Sequence, residues 1–407
     1  MRETVVVGMA GAPTVAVDLS VRSCHEELRD THDVLTVVGG PTGLVDGAFA
    51  SRAGGARGGR PSTGLDLISG RRQTTPADVD AIVRRLREAR ATALVLAGGN
   101  GTMALLGAIA SRARAEGDDL TVVGIPKTVD NDLYGVDFSP GFASAARYLA
   151  LTVSGIARDH RSIASVDPIR IVETMGRGTG WLAAAAGATV ARLAPDLAPD
   201  LCLVPESTVP EEHIVAAVGD ALASRGRAFV VCSEGFAFRD DEGGYHLQNH
   251  SKPLYGGVAR RLARALTDAL GIPARGEVLG TQQRSAHALA SRIDLEVARQ
   301  VGRAAARLVL ERRSGVMVGT ERTGADPYAV QVAAVQLDDV AGRSRPLPAE
   351  FRDERGPAAR EAYADWLWPV LDLAPPEDPA TDRLLAHRVS LRPDPRASGV
   401  PTHVAGT

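Results

Sequence analysis

LTVVGIPKTVDND, residues 120–132, runs from a short valine-rich apolar stretch into a cluster of one lysine, one hydroxyl, one amide and two carboxylates. A continuous apolar run of this length, bounded by proline, reads as a strand buried on both faces. Such strands belong to parallel sheets covered by helices. Polar residues that directly follow a strand of this kind lie where open α/β sheets bind ligands. Lys127 is one of only two lysines in the chain, the other being Lys252, because arginine supplies nearly all the positive charge. A compact ammonium on a flexible stem does what a planar guanidinium cannot, and here it points to phosphate handling.

The same pattern recurs along the chain. Apolar runs at 5–9, 34–38, 93–97, 120–125, 169–173, 201–205 and 228–232 alternate with helical patterns at 76–89, 103–115, 143–157, 181–194 and 211–224. A further helix is expected over 292–311. This alternation predicts an α/β fold with mostly parallel, doubly wound sheets. The number of strands predicts two lobes, with a seam near Leu151. Residues 49–64, rich in Gly, Ser and Arg, read as a mobile surface loop. After about residue 338 the periodicity fades, apart from an amphipathic segment at 362–373, and the stretch from about Pro393 reads as disordered.

Composition narrows the function. A chain of 407 residues with net charge −3, no basic run and few aromatics is not patterned for nucleic acid, and no apolar run is long enough to cross a bilayer. The opening MRETVVVGMAGAP enters a strand pattern at once and leaves no room for a signal peptide, so a cytoplasmic location is expected. Cys202 and Cys232 sit in apolar runs as small core residues, and Cys24 beside His25 has no further support as a reactive thiol. His160, His213, His246 and His287 show no zinc-ligand spacing.

Four loops follow strands. GMAGAPT (8–14) and GGNGT (98–102) place small residues before a helix N-terminus, where phosphate meets free N–H groups and a partial positive charge. One βαβ unit separates GGNGT from PKTVDND, so the two form a phosphate cradle beside an acidic cluster. A tight turn without a ligand explains the first loop equally well. No GxGxxG accompanies the second. ETMGRGTG (173–180) sets Arg177 among glycines to grip a phosphate. Arg275 and LGTQQRS (279–285) bracket a strand with two arginines. Phosphoryl transfer needs a base for the attacking hydroxyl, cations for the phosphates and an acidic ligand for magnesium, and the 127–132 stretch offers all three.

GGNGT, PKTVDND, ETMGR, SEG (233–235) and LGTQQRS resemble, in order and spacing, the motifs of the phosphofructokinase family from about residue 4 to 320. Gly11-Ala12-Pro13-Thr14, Lys127, SPGFASAARY (139–148) and QRSAHALASRID (283–294) resemble its pyrophosphate-dependent branch. The resemblance implies two Rossmann-like lobes with the site between them, in a homodimer or homotetramer. Residues 1–150 would form the phosphoryl-donor lobe and 151–337 the sugar-phosphate lobe, with the chain returning between them, and 338–407 a C-terminal extension. It also implies roles. Asp130 would be the base, and Thr128 and Asp132 would position the transferring group and Mg2+. Lys127 and Arg177 would stabilise its charge. Gly11, Arg71, Arg72, Gly98, Gly99, Asn100, Gly101 and Thr102 would line the donor side. Met175, Gly176, Arg177, Glu234, Arg275 and Arg284 would hold the sugar phosphate, and Asn100 with Asp132 would be the metal position.

Two departures bear on the donor. That branch typically carries Asp where this chain has Gly101, and removing the side chain favours ATP. Lys127 pulls towards pyrophosphate, although Gly with Lys resembles an actinobacterial ATP-using group. Asn100 stands where the family's metal-binding Asp would be, and Thr281 stands where many members place His. The expectation is a Mg-dependent kinase that phosphorylates the 1-hydroxyl of fructose 6-phosphate or a relative from ATP. The alternatives are a pyrophosphate-dependent enzyme acting on fructose 6-phosphate or sedoheptulose 7-phosphate, and a catalytically weak paralogue that binds nucleotide or sugar phosphate.

Overall fold

The computed structural model describes residues 2–51, 67–70, 72–237, 256–352 and 356–373. The expected mobility at 52–64, the tail from Pro393, and Arg71 and Lys252 lie outside them. Among the described residues, eleven strands form two sheets. The first contains β1 (Thr4–Met9), β2 (Asp33–Val37), β3 (Phe49–Ser51), β4 (Ala91–Gly98) and β5 (Thr121–Pro126). The second contains β6 (Ile169–Thr174), β7 (Leu201–Leu203), β8 (Ala228–Ser233) and β9 (Ala274–Val278). The chain then returns to the first sheet as β10 (Val316–Ala325) and β11 (Tyr328–Gln336).

The first sheet has the order β11-β10-β5-β4-β1-β2-β3 and the second β7-β8-β6-β9. The first is parallel from β10 to β2, with antiparallel β11 and β3 at its edges, and the second is parallel throughout. The continuous apolar strands account for this, because β5, β6 and β8 are buried at every residue and need helices on both faces. On one face of the first sheet Ile82, Leu86, Leu106 and Ile109, from the helices Pro76–Glu88 and Asn100–Ala115, pack on Val6, Leu94 and Leu96. Each buried aliphatic side chain of this kind contributes about 1.5–3 kcal/mol.

The helices Val17–Leu28 and Arg292–Leu310 pair with each other beside β1, β4 and β5. Their backbones come close at Gly302, where a Cβ would collide with the carbonyl of Ser20. In the second sheet, Ile214 and Val218 from Glu211–Arg225 join Leu262 and Leu266 from Val258–Leu270 over Ile169, Ile171 and Val230. No described helix is long and apolar enough to cross a membrane.

The stretch expected to be a loop at 49–64 starts as an edge strand, since Phe49 to Ser51 pair with Val37 to Leu35. Burial pushes the Cys24 thiol up to about 12 and leaves it a neutral core group.

Two stretches that resembled the pyrophosphate-dependent branch meet as mutual caps. The carboxylate of Asp294, fully buried, accepts the backbone N–H of Gly141 at 2.9 Å and of Ser144 at 3.0 Å, opening the helix Phe142–Ile163. Ser291 caps its own helix by accepting the N–H of Asp294, and its N–H donates to Ser144 Oγ. Replacing Asp294 orphans two buried donors, so Asp294→Ala is expected to cost on the order of 2–4 kcal/mol in urea unfolding. A loss under about 0.5 kcal/mol would remove the cap from the account.

Candidate active site

The loops after β1, β4 and β5 converge at the carboxyl end of the first sheet, where the strand order reverses between β1 and β4. The 98–102 loop enters the helix Asn100–Ala115 with no side-chain cap, which leaves first-turn N–H groups facing the cleft. Gly98 must be glycine, because a Cβ there would collide with Thr102. Lys127 is 4% exposed, and its Nζ donates to the carbonyls of Ala10 at 2.9 Å and Ala12 at 2.7 Å. The lysine therefore ties the loop after β5 to the loop after β1 and carries its charge to the floor between them.

The rest of the 127–132 loop is held as firmly. Thr128 Oγ1 accepts the N–H of Asp130 at 3.0 Å, and Thr179 Oγ1 donates to the carbonyl of Asp130 at 2.8 Å. Asn131 takes a left-handed φ of 53°, and its side-chain oxygen accepts the N–H of Ser139. Asn100 Nδ2 donates to the Asp132 carboxylate at 2.9 Å and to its carbonyl at 3.1 Å.

The second sheet presents its own loops across a cleft of about 450 Å³. Met175 and Arg177 follow β6, Glu234 follows β8, and Arg284 follows β9. The Arg177 guanidinium lies 3.5 Å from the Asp130 carboxylate. Gln283, 2% exposed, joins two of these loops by accepting the N–H of Met175 at 2.9 Å and donating to the Gly280 carbonyl. Burial, and next the charge of Asp130, push the Glu234 carboxyl up to about 7, against the pull of Arg177. Glu234 is thus poised between donor and acceptor of a hydrogen bond at neutral pH. On the facing wall, the hydrogen bond from Arg72 at 2.6 Å, with the Thr75 N–H, holds Asp78 down at about 2 and fixes the guanidinium at the cleft mouth.

Gly11, Arg72, Gly99, Asn100, Gly101, Thr102, Lys127, Thr128, Asp130, Asp132, Met175, Arg177, Glu234 and Arg284 all line this cleft. Gly98 and Gly176 stand behind its walls. Gly176 has φ +128, and its carbonyl accepts from Ser233. Arg275 is not brought in. It lies near the amino end of β9, paired with Asp167 at 3.1 Å beside the buried Arg170, because the strand direction sends it away from the carboxyl-end loops. Glu173, which opens the third motif, turns away to cap the helix Val258–Leu270 through the N–H groups of Gly257 and Ala259. Pro13 and Thr14 of the first loop line the cleft, and Thr179 supports it without a role having been assigned to it. The hydroxyl of Thr179 in the Gly-rich 173–180 loop was the one legible hint.

The donor set fits a magnesium ion that arrives with phosphate oxygens. Asn100 Oδ1 is buried without a protein hydrogen-bond partner beside the Asp132 carboxylate. Among the described residues no group of three or more His, Cys, Asp or Glu could hold a metal alone. One carboxylate supplemented by phosphate oxygens and water is the usual magnesium arrangement.

A family model described as phosphofructokinase matches residues 4–309. The chain belongs to the phosphofructokinase family. A sulfofructose kinase of Alkalicoccus urumqiensis is 35% identical over 376 residues, which is 91% of this chain and 96% of that one. The pyrophosphate–fructose 6-phosphate 1-phosphotransferase of Methylococcus capsulatus is 37% identical over 265 residues, 63% of this chain and 61% of the relative. The pyrophosphate-dependent phosphofructokinase structure from Nitrosospira multiformis superposes with a TM-score of 0.80 at 24% identity, covering 92% of this chain and 93% of that one, and so shares the fold. This phosphofructokinase-family chain is an enzyme, a sugar-phosphate kinase with two Rossmann-like lobes.

Because Glu234 is raised from 4.5 to about 7 in the folded state, it contributes stability that is fully present below pH 4.5 and lost as pH rises through about 7. Glu234→Gln is expected to flatten the stability profile across that window in denaturant titrations. An unchanged slope would mean that Glu234 ionises like an exposed carboxylate.

Proposed function

We propose that this enzyme transfers the terminal phosphoryl group of ATP to the 1-hydroxyl of fructose 6-phosphate or a closely related ketose, with magnesium. The observation that carries the donor is Gly101. A Cβ there would meet nothing within 4 Å, and beyond it lies a second groove of about 590 Å³ lined by Thr75, Pro76, Val79, Ala104, Leu105 and Ala108. Gly101 borders both cavities, so a nucleotide has a path from the phosphate cleft to a partly apolar resting place. A pyrophosphate needs no such path.

The roles follow from placement. Asp130 accepts the proton of the sugar hydroxyl as its oxygen bonds to phosphorus and the bond to the donor's leaving phosphate breaks. Arg177 and Lys127 face the charge that spreads over the transferring group. Asp132 and Asn100 would hold the magnesium, which screens the donor phosphates when bound. Thr128 keeps the loop turned so that Asp130 faces the cleft. Arg72, Gly11 and the 98–102 loop line the donor side. Met175, Glu234 and Arg284 line the sugar side. Residues 1–150 and 151–337 supply these two sides in a cytoplasmic homo-oligomer.

A second reading concerns the acceptor. One relative that aligns over nearly its whole length is named a sulfofructose kinase, which supports a sulfonated fructose as the sugar. Pyrophosphate as donor is the corresponding alternative, supported by the Methylococcus relative's name and by the buried ammonium of Lys127.

Purified enzyme with magnesium, assayed with ATP or pyrophosphate against fructose 6-phosphate, sedoheptulose 7-phosphate and a sulfonated fructose, ranks these readings. ATP with one ketose should dominate, and pyrophosphate dominance would overturn the donor assignment. Gly101→Asp places a carboxylate against the path and should lower kcat/KM for ATP by at least about 10²-fold, the weight of a like charge against bound phosphate. Equal losses with both donors would contradict the steric argument.

A further inference from the structure

Two hundred residues beyond the 127–132 loop, the chain returns to it. The Arg345 backbone N–H donates to the Asp132 carbonyl at 2.8 Å. Its guanidinium donates from Nε to the Asn131 carbonyl at 3.2 Å, and from Nη1 to the carbonyls of Val136 at 2.5 Å and Asp137 at 3.1 Å. The guanidinium also stacks over Trp181 at 4.6 Å, and Trp181 Nε1 donates back to the Arg345 carbonyl at 3.2 Å. Trp181 opens the helix that follows the 173–180 loop.

Two residues on, the Leu347 N–H donates to Glu206 at 2.7 Å, and the same carboxylate accepts the Gly180 N–H at 3.0 Å. One short segment therefore grips both loops that face each other across the cleft. None of its side chains lines the cleft itself.

We infer that Arg345 is a positioning residue for phosphoryl transfer: the 345–347 segment is a strap that fixes the Asp130–Asp132 turn relative to the Arg177 loop. A planar guanidinium is what the geometry requires. Its Nε and Nη1 donate to three carbonyls while the plane lies over an indole, whereas an ammonium would have to reach all three from a single nitrogen and has no flat face to stack. Burial lowers the Arg345 pKa to about 10, and it remains charged at neutral pH. Because Asp130 must meet a hydroxyl and Asp132 a phosphate-bound cation, a shift of the turn by a fraction of an ångström acts on the rate more than on binding.

The inference rests on the reading of the 127–132 loop as the transfer site, and two measurements keep the two separable. Arg345→Met preserves a stem over Trp181 and removes the guanidinium. It should accelerate amide exchange across 131–137 by at least about 10-fold while exchange in β1 and β4 stays unchanged. With whichever donor and sugar the wild type turns over, kcat should fall about 10- to 100-fold with both KM values within about threefold. Guanidinium chloride at millimolar concentration should restore part of the kcat of Arg345→Ala. If Arg345→Met does not fold, Arg345→Lys supplies the same readings with smaller changes.

Unchanged exchange and unchanged kcat would overturn the strap. So would KM values that rise as much as kcat falls, without guanidinium rescue. Faster exchange in a protein whose wild type transfers no phosphoryl group would contradict the transfer reading and leave the strap standing.

Discussion

The buried ammonium of Lys127, donating to the carbonyls of Ala10 and Ala12, is the contact on which the site depends. Taking an ammonium out of water costs several kcal/mol, and carbonyl hydrogen bonds with good geometry are needed to offset that penalty. The return is a fixed relation between the loops after β1 and β5, which are not neighbours in the sheet because β4 lies between them. An arginine fork would overfill the gap beside Gly11, whose Cβ direction already points at Nζ from 3.5 Å. The choice of lysine at position 127, in a chain that otherwise uses arginine, therefore has a structural cause as well as a chemical one.

With the turn anchored at Lys127, each later residue is held by a different part of the molecule. Asp130 is bound from the second sheet by Thr179 and faces Arg177, Asn131 is bound by Ser139, and Asp132 is bound by Asn100 and Arg345. Such multiple anchoring gives the preorganisation that phosphoryl transfer needs, since little of that reaction is covalent chemistry by the protein. It also explains why the Glu234 carboxyl rises. The same enclosure that fixes Asp130 removes water from Glu234 and leaves the two acids within each other's field.

Much of this was legible in the sequence, and the reasons for the remainder are physical. Parallel strands covered by helices betray themselves as apolar runs, so seven strands could be read, including the only partly buried β2 and β7, along with the loops at their carboxyl ends. β11 alternates half-buried and exposed residues along most of its length, and β10 does so along its outer half, so neither forms a continuous apolar run. The helix Val17–Leu28 buries polar residues, Asp18, Ser20 and Ser23, whose burial depends on partners distant in sequence. Within the motifs, residue type did not distinguish ligand contact from capping. Glu173 and Asp294 close helix ends, and Arg275 sits at the wrong end of its strand for this cleft. Arg345 gave no signal at all, because nothing local marks an arginine whose partners lie some two hundred residues earlier.

The central claim is that the anchored turn presents Asp130 as the base for phosphoryl transfer. Steady-state kinetics of Asp130→Asn test it most directly, because the amide keeps the shape and cannot take the proton. The account predicts a fall in kcat on the order of 10²–10⁴-fold with nearly unchanged KM for both substrates. A kcat close to that of the wild type would contradict it.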